Sequence, residues 1–197
     1  MPRRTHDSRF STHDFKQMKN IKTAIAYVKD YATTGAISKS SEWVENGVTR
    51  FVDSAQKQFI VEYGAGHGNI TEVILAKMHP ESKLVSFEIN EDFCIKLEQI
   101  QDKRLRIACD SAANVMDYVQ GEMSVDCVVS SLPITFIPEE VVNEIYKKTQ
   151  LILKENAYMT QWLYTPLHIK IFKRYFSKVE TEMGFGVPME FIKICRK

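Results

Sequence analysis

Short apolar runs of six to eight residues recur along the chain: QFIVEY (58–63), KLVSFEI (83–89), RLRIAC (104–109), VDCVVSSL (125–132) and AYMTQWLY (157–164). Runs of this length, bounded by polar or turn-forming residues, predict buried strands. Between them, Thr71 to Met78, Glu91 to Ile100 and Glu139 to Leu153 place apolar residues at helical spacing. Strands alternating with helices predict βαβ units, hence an α/β domain with a mostly parallel sheet covered on both faces. The carboxyl end departs from this pattern. KVETEMGF and MEFIKICRK, joined through Gly186 and Pro188, predict an antiparallel strand pair closing one edge.

The amino end has a different period. Phe15, Met18, Ile21, Ile25 and Val28 recur every three or four residues, with Lys16, Lys19, Lys22 and Lys29 around them. That spacing predicts an amphipathic helix, which can either lie in a membrane surface or pack on the domain core. Three segments are therefore expected: a flexible basic tail (1–13), a helical segment (14–55) and a catalytic domain (56–197).

Composition narrows the picture modestly. At 197 residues, 44% hydrophobic and 26% charged, the chain can bury a real core. Its net charge of +1 is uninformative, but Arg3, Arg4, Arg9 and the four lysines above concentrate cations before residue 30, opposed there only by Asp7 and Asp14. Cys94, Cys109, Cys127 and Cys195 form no C-x-x-C pair and mostly lie in apolar runs, so reduced thiols, no metal site and a cytoplasmic setting are expected. The start lacks the apolar stretch of a signal peptide, and no run of about 18 apolar residues predicts a membrane span.

The chemistry centres on the end of the first strand. VEYGAGHGNI places Gly64, Gly66 and Gly68 in alternation, which implies either a turn with positive φ or a backbone that a ligand approaches closely; the second is the reading adopted. A dinucleotide fingerprint needs glycine where Asn69 stands, so that motif fails. Acids instead recur at successive strand ends: Glu62, Glu88 and Asp110. Carboxylates there can accept ribose hydroxyls and an adenine amino group, and the amino end of the helix beginning near Asn69 suits a carboxylate.

This pattern resembles the Rossmann-like S-adenosylmethionine-dependent methyltransferases over about residues 59–164. The resemblance implies S-adenosyl-L-methionine as cofactor. Glu62 would orient its methionine amino group, Gly64 to Gly68, with Ala65 and Gly66 among them, would line its amino acid part, Glu88 would hold the ribose and Asp110 with Ser111 would face the adenine, while Tyr63 and Ile89 would also bind the cofactor. The fourth-strand loop, Ser130, Ser131, Leu132 and Pro133, would receive the amine that is methylated, with Ser130 also near the cofactor. VEYGAGHGNITEVI is similar to rRNA adenine dimethyltransferases, but Ile134 stands where those carry a base-stacking aromatic. GAISKSS (35–41), the S-S-L-P loop and GVPMEFIKICRK together resemble the bacterial phospholipid N-methyltransferases, which convert phosphatidylethanolamine towards phosphatidylcholine. Lys39 and Ser131 depart from that family's usual Pro and Gly. The resemblance implies a peripheral enzyme on the inner face of the membrane, docked through residues 14–30. Tyr27, Tyr31, Tyr164 and His168 are candidate walls of the substrate site. An RNA-methylating enzyme, or a catalytically idle interaction module, is the alternative.

Overall fold

The computed structural model describes residues 40–119, 121–185 and 188–197. The expected basic tail and the amphipathic stripe at 14–30 lie outside the described residues.

Helix α1 (Glu42–Val48) is capped by Ser41, whose Oγ accepts from Val44 N. The sheet then builds outward from β1 (Phe59–Tyr63), whose last four residues are buried. Helix α2 (Asn69–Lys77) leads to β2 (Lys83–Phe87), and α3 (Glu91–Leu97), capped by Asn90, leads to β3 (Leu105–Ala108). A 3-10 turn over Ala112–Asp117 follows, then β4 (Val125–Ser130) and a second 3-10 turn, Ile134–Phe136. The last elements are α4 (Glu139–Ile152), β5 (Leu153–Leu163), α5 (Ile169–Tyr175) and the antiparallel strands β6 (Lys178–Gly184) and β7 (Glu190–Arg196).

The seven strands lie in the order β3-β2-β1-β4-β5-β7-β6, parallel except for β7. After β3 the chain crosses to the far side of β1. The carboxyl ends of β1 and β4 therefore form the switch point where α/β sheets bind ligands. Alternation along the buried strands supplies a core on each face: Val61, Tyr63, Phe87 and Tyr146 on one, Ile60, Leu84, Ile74 and Val44 on the other.

Two features differ from expectation. Strand β5 begins at Leu153, directly off α4, because Leu153 already pairs with Val125 before the bulge that precedes Tyr158. The short α5 was not signalled: its seven residues follow His168, whose left-handed φ of 68° no sequence pattern announces.

The expectation of reduced thiols fails for one pair. Cys94 on α3 and Cys109 just after β3 form a disulfide, their Cα atoms 5.8 Å apart, a bridging distance set by how α3 packs beside β3. Cys127 and Cys195 are free and buried. Thiol titration of the unfolded, unreduced protein should therefore count two thiols. Replacing Cys109 by Ser should cost up to about 3 kcal/mol in urea melts, the loop-closure value for a short loop.

Candidate active site

All three glycines of the turn after β1 have positive φ: Gly64 at 75°, Gly66 at 56° and Gly68 at 90°. The turn reading of these residues is thus as real as the close-approach reading, and only their surroundings separate the two. A Cβ on Gly68 would press on Leu97 and Ile100 at about 3 Å, and one on Gly64 would meet Leu132 and the Ser131 carbonyl carbon. A Cβ on Gly66 would meet nothing within 4 Å. Gly64 and Gly68 therefore serve packing, while Gly66 presents backbone to open space. Gly64 N and Ala65 N both donate to Phe87 O, fastening the turn to the end of β2.

Glu62 lies beneath this turn, fully buried. Its Oε2 accepts from Thr71 Oγ1 at 2.7 Å and Ser86 Oγ at 2.6 Å, while Oε1 has no partner. Burial pushes its pKa up to about 7, against the pull of the Ser86 and Thr71 hydroxyls. A buried carboxylate oxygen left unpaired is costly, and an ammonium group arriving at the turn would satisfy it.

Glu88 follows β2 and is nearly buried. Its Oε2 accepts from Gly66 N, and its Oε1 from Ile89 N and Asn90 N, all at 2.8 Å. Burial raises its pKa, opposed by those backbone donors. One carboxylate thus shapes both the glycine turn and the start of α3. Asp110 takes Ser111 N and Asn114 Nδ2 on Oδ1 and the Tyr118 hydroxyl on Oδ2, while Ser111 Oγ caps the 3-10 turn.

The strand order sets these groups side by side along one edge: Asp110, Glu88, the Gly66 turn over Glu62, then the loop after β4. With strands about 4.8 Å apart, three spacings cover roughly 14 Å, the reach of an extended nucleoside joined to an amino acid. Helix α2 begins at Gly68 without a side-chain cap, which leaves its first N–H groups for a carboxylate. The residues present fit S-adenosylmethionine: an unpaired buried acceptor for its ammonium, an open backbone cradle, and acids at the two strand ends beyond.

Several expected site residues are placed differently. Tyr63 alternates with Glu62 and so faces the opposite core, where its hydroxyl meets Thr149 Oγ1 at 3.0 Å; only its backbone, through the bond from Ser131 N to Tyr63 O, touches the site loop. The Ser130 hydroxyl points inward to Gln161 Oε1 at 2.7 Å. Tyr27 and Tyr31 lie outside the described residues. Tyr164 packs its ring on Trp162. His168 Nε2 lies 3.4 Å from Thr135 Oγ1, which brings together the loops after β4 and β5. His67 is exposed and tilts onto Phe93.

Sequence reading missed Gln161 and Lys193. Gln161 is fully buried in β5; it accepts from Ser130 Oγ and the Tyr146 hydroxyl, and donates to Leu132 O and Trp162 O. It therefore holds the loop at 130–132, and its one signal was a lone amide in an apolar run. Lys193, buried in β7, donates to Pro166 O and Thr181 Oγ1 and fixes the loop bearing His168. Gln161→Leu strands the Ser130 and Tyr146 hydroxyls and the Leu132 carbonyl, and should lower stability by about 3 kcal/mol in denaturant melts. Tyr146→Phe, which removes only one of these bonds, should cost about half as much.

Ser131 Oγ is buried and without a partner, next to the Gly64 turn. Two buried polar atoms, Glu62 Oε1 and Ser131 Oγ, thus await donors or acceptors on neighbouring strands at the same edge.

No family model matches the chain. An ornithine lipid N-methyltransferase from Singulisphaera acidiphila is 25% identical over 159 residues, covering 78% of this chain and 82% of that protein. Among solved structures, Burkholderia thailandensis 1,6-didemethyltoxoflavin-N1-methyltransferase with bound S-adenosylhomocysteine superposes with a TM-score of 0.68 at 11% identity, over 98% of this chain and 93% of that one. An rRNA methylase from Streptococcus thermophilus gives 0.61 at 13% identity, over 81% and 98%. In fold, the chain is similar to the Rossmann-like S-adenosylmethionine-dependent methyltransferases.

Proposed function

We propose that the chain is an S-adenosylmethionine-dependent N-methyltransferase acting on the primary amine of a lipid head group, with phosphatidylethanolamine as the first acceptor. The observation that carries this reading is the unpaired Ser131 Oγ in a loop packed on the Gly64 turn, which gives an acceptor for an amine N–H beside the cofactor cradle. The likeness to an ornithine lipid N-methyltransferase along 78% of the chain supports a lipid acceptor.

The cofactor supplies an activated methyl group on a sulfonium. Glu62 Oε1 would take its ammonium, and Glu88 and Asp110 would hold its ribose and adenine. A primary amine must shed a proton before it can attack, which costs about 4 kcal/mol at neutral pH. Burial at the 130–133 loop lowers that cost by disfavouring the ammonium form, and the Ser131 hydroxyl orients the neutral amine. The second lone pair of Leu132 O, whose first takes Gln161 Nε2, offers another acceptor.

Ile134 is buried in the core and offers no ring to a nucleobase. Phe136, two residues on, is half-exposed, and it favours an RNA acceptor as the second reading. To decide, the protein is incubated with methyl-labelled cofactor and, separately, vesicles of phosphatidylethanolamine, vesicles of ornithine lipid, and rRNA. Label is expected in the lipid fraction. Label confined to rRNA favours the RNA reading, and cofactor binding with no transfer to any acceptor favours an idle module.

A further inference from the structure

Among the described residues, five of the eight large apolar side chains left exposed gather in one region, while Ile95 on α3 and Met123 ahead of β4 lie away from it. Phe136, Leu167, Phe185 and Met189 lie beyond the carboxyl ends of β4, β5 and β6 or just before β7, and Met183 is the penultimate residue of β6. Because β5 and β6 both run antiparallel to β7, these positions share one edge of the sheet, the edge on which the crevice opens. Phe185, at the tip of the β6–β7 hairpin, is 94% exposed, and Leu167 is 66% exposed. Trp43 of α1 lies flat against Gly184, where even a methyl group would collide with its ring.

Such a concentration of exposed apolar side chains on one edge marks an interaction surface. Its charges favour one occupant. Lys170 and Lys173 stand exposed on α5, the helix that follows Leu167. Of the acids nearby, Glu182 pairs with Arg50, Glu139 with Arg174, and Glu190 accepts from Ser41 Oγ at 2.6 Å, buried, while Glu42 and Glu140 are exposed. Apolar tips flanked by lysines match the acyl boundary and the anionic head groups of a bilayer.

We propose that Met183, Phe185 and Met189, at the end of β6 and ahead of β7, together with Leu167, insert into a lipid bilayer surface and so present the site to head groups. None of these residues belongs to the stretch at 14–30 whose spacing predicts an amphipathic helix. Docking there rests on the lipid-acceptor reading for its purpose, although the contact itself is measured separately. A head group anchored in a bilayer reaches the site only when that end of the sheet meets the bilayer, and these side chains lie at that end.

The test uses full-length protein and sedimentation with vesicles of phosphatidylcholine containing a minority of phosphatidylglycerol. Replacing Met183, Phe185 and Met189 together by Ser should lower partitioning about tenfold or more, with affinity for S-adenosylhomocysteine and thermal melting unchanged. Phe185→Trp should shift its emission to the blue when vesicles are added, beyond any change in the parent protein. Equal partitioning of the triple variant and the parent, or no spectral shift at position 185, overturns the proposal. So does a triple variant that turns a dimer into a monomer while binding vesicles as before, since the face would then join two copies. If vesicle binding depends on the hairpin but no lipid is methylated, the docking surface stands and the lipid-acceptor reading falls.

Discussion

Glu88→Ala is expected to lower the affinity for S-adenosylhomocysteine about tenfold to a hundredfold, the loss that follows when one charge-assisted hydrogen bond from a ribose hydroxyl to the remaining lone pair of Oε2 disappears. The same substitution removes the acceptor for Gly66 N, Ile89 N and Asn90 N. It therefore also costs about 2–3 kcal/mol of stability, because the glycine turn and the start of α3 lose their common anchor. Calorimetric titration well below the melting temperature separates the two effects. Glu88→Gln should fall between: its carbonyl can serve Ile89 and Asn90, but its amide then faces Gly66 N, donor against donor. Unchanged affinity in Glu88→Ala would remove the ribose from this strand end.

The second large effect is a pair of opposite pH trends from Glu62. In the ligand-free protein its folded pKa of about 7 lies above the ordinary value of 4.5. Between those values the folded chain keeps a proton that the unfolded chain has released. Stability consequently falls as pH rises through that window, by roughly 3 kcal/mol in all. Cofactor binding runs the other way. An ammonium group meeting Oε1 needs the carboxylate, so affinity weakens towards tenfold per unit as pH drops below about 7. Glu62→Gln should flatten both trends. Urea melts and calorimetric titrations across pH 5 to 8, the range of about one pKa unit or more on either side of the transition, check them; parallel rather than opposite slopes would show that Oε1 does not receive the cofactor.

The carboxyl edge of the sheet is built from many different segments. Gln161 secures the 130–132 loop from β5, Lys193 secures the 164–168 loop from β7, and Ser41 ties the start of α1 to Glu190. Each fastening comes from a strand or helix remote in sequence, so the site loops are held by the sheet rather than by themselves.

The sequence alone was enough for the strand–helix alternation, the antiparallel carboxyl-terminal pair, the glycine turn and the three acids at successive strand ends. These are properties of periodicity and of local residue chemistry, which a chain carries whether or not it is folded. Only the tertiary structure decided which side of β1 each group faces, so that Glu62 lies under the turn while Tyr63, its neighbour, is sent to the opposite core. It also decided that Cys94 and Cys109 meet, that Gln161 and Lys193 brace the loops, and that Gly66 rather than Gly64 or Gly68 is the bare position. The reason is physical: each of these depends on contacts between residues far apart in the chain, and their distances are fixed only when the sheet assembles.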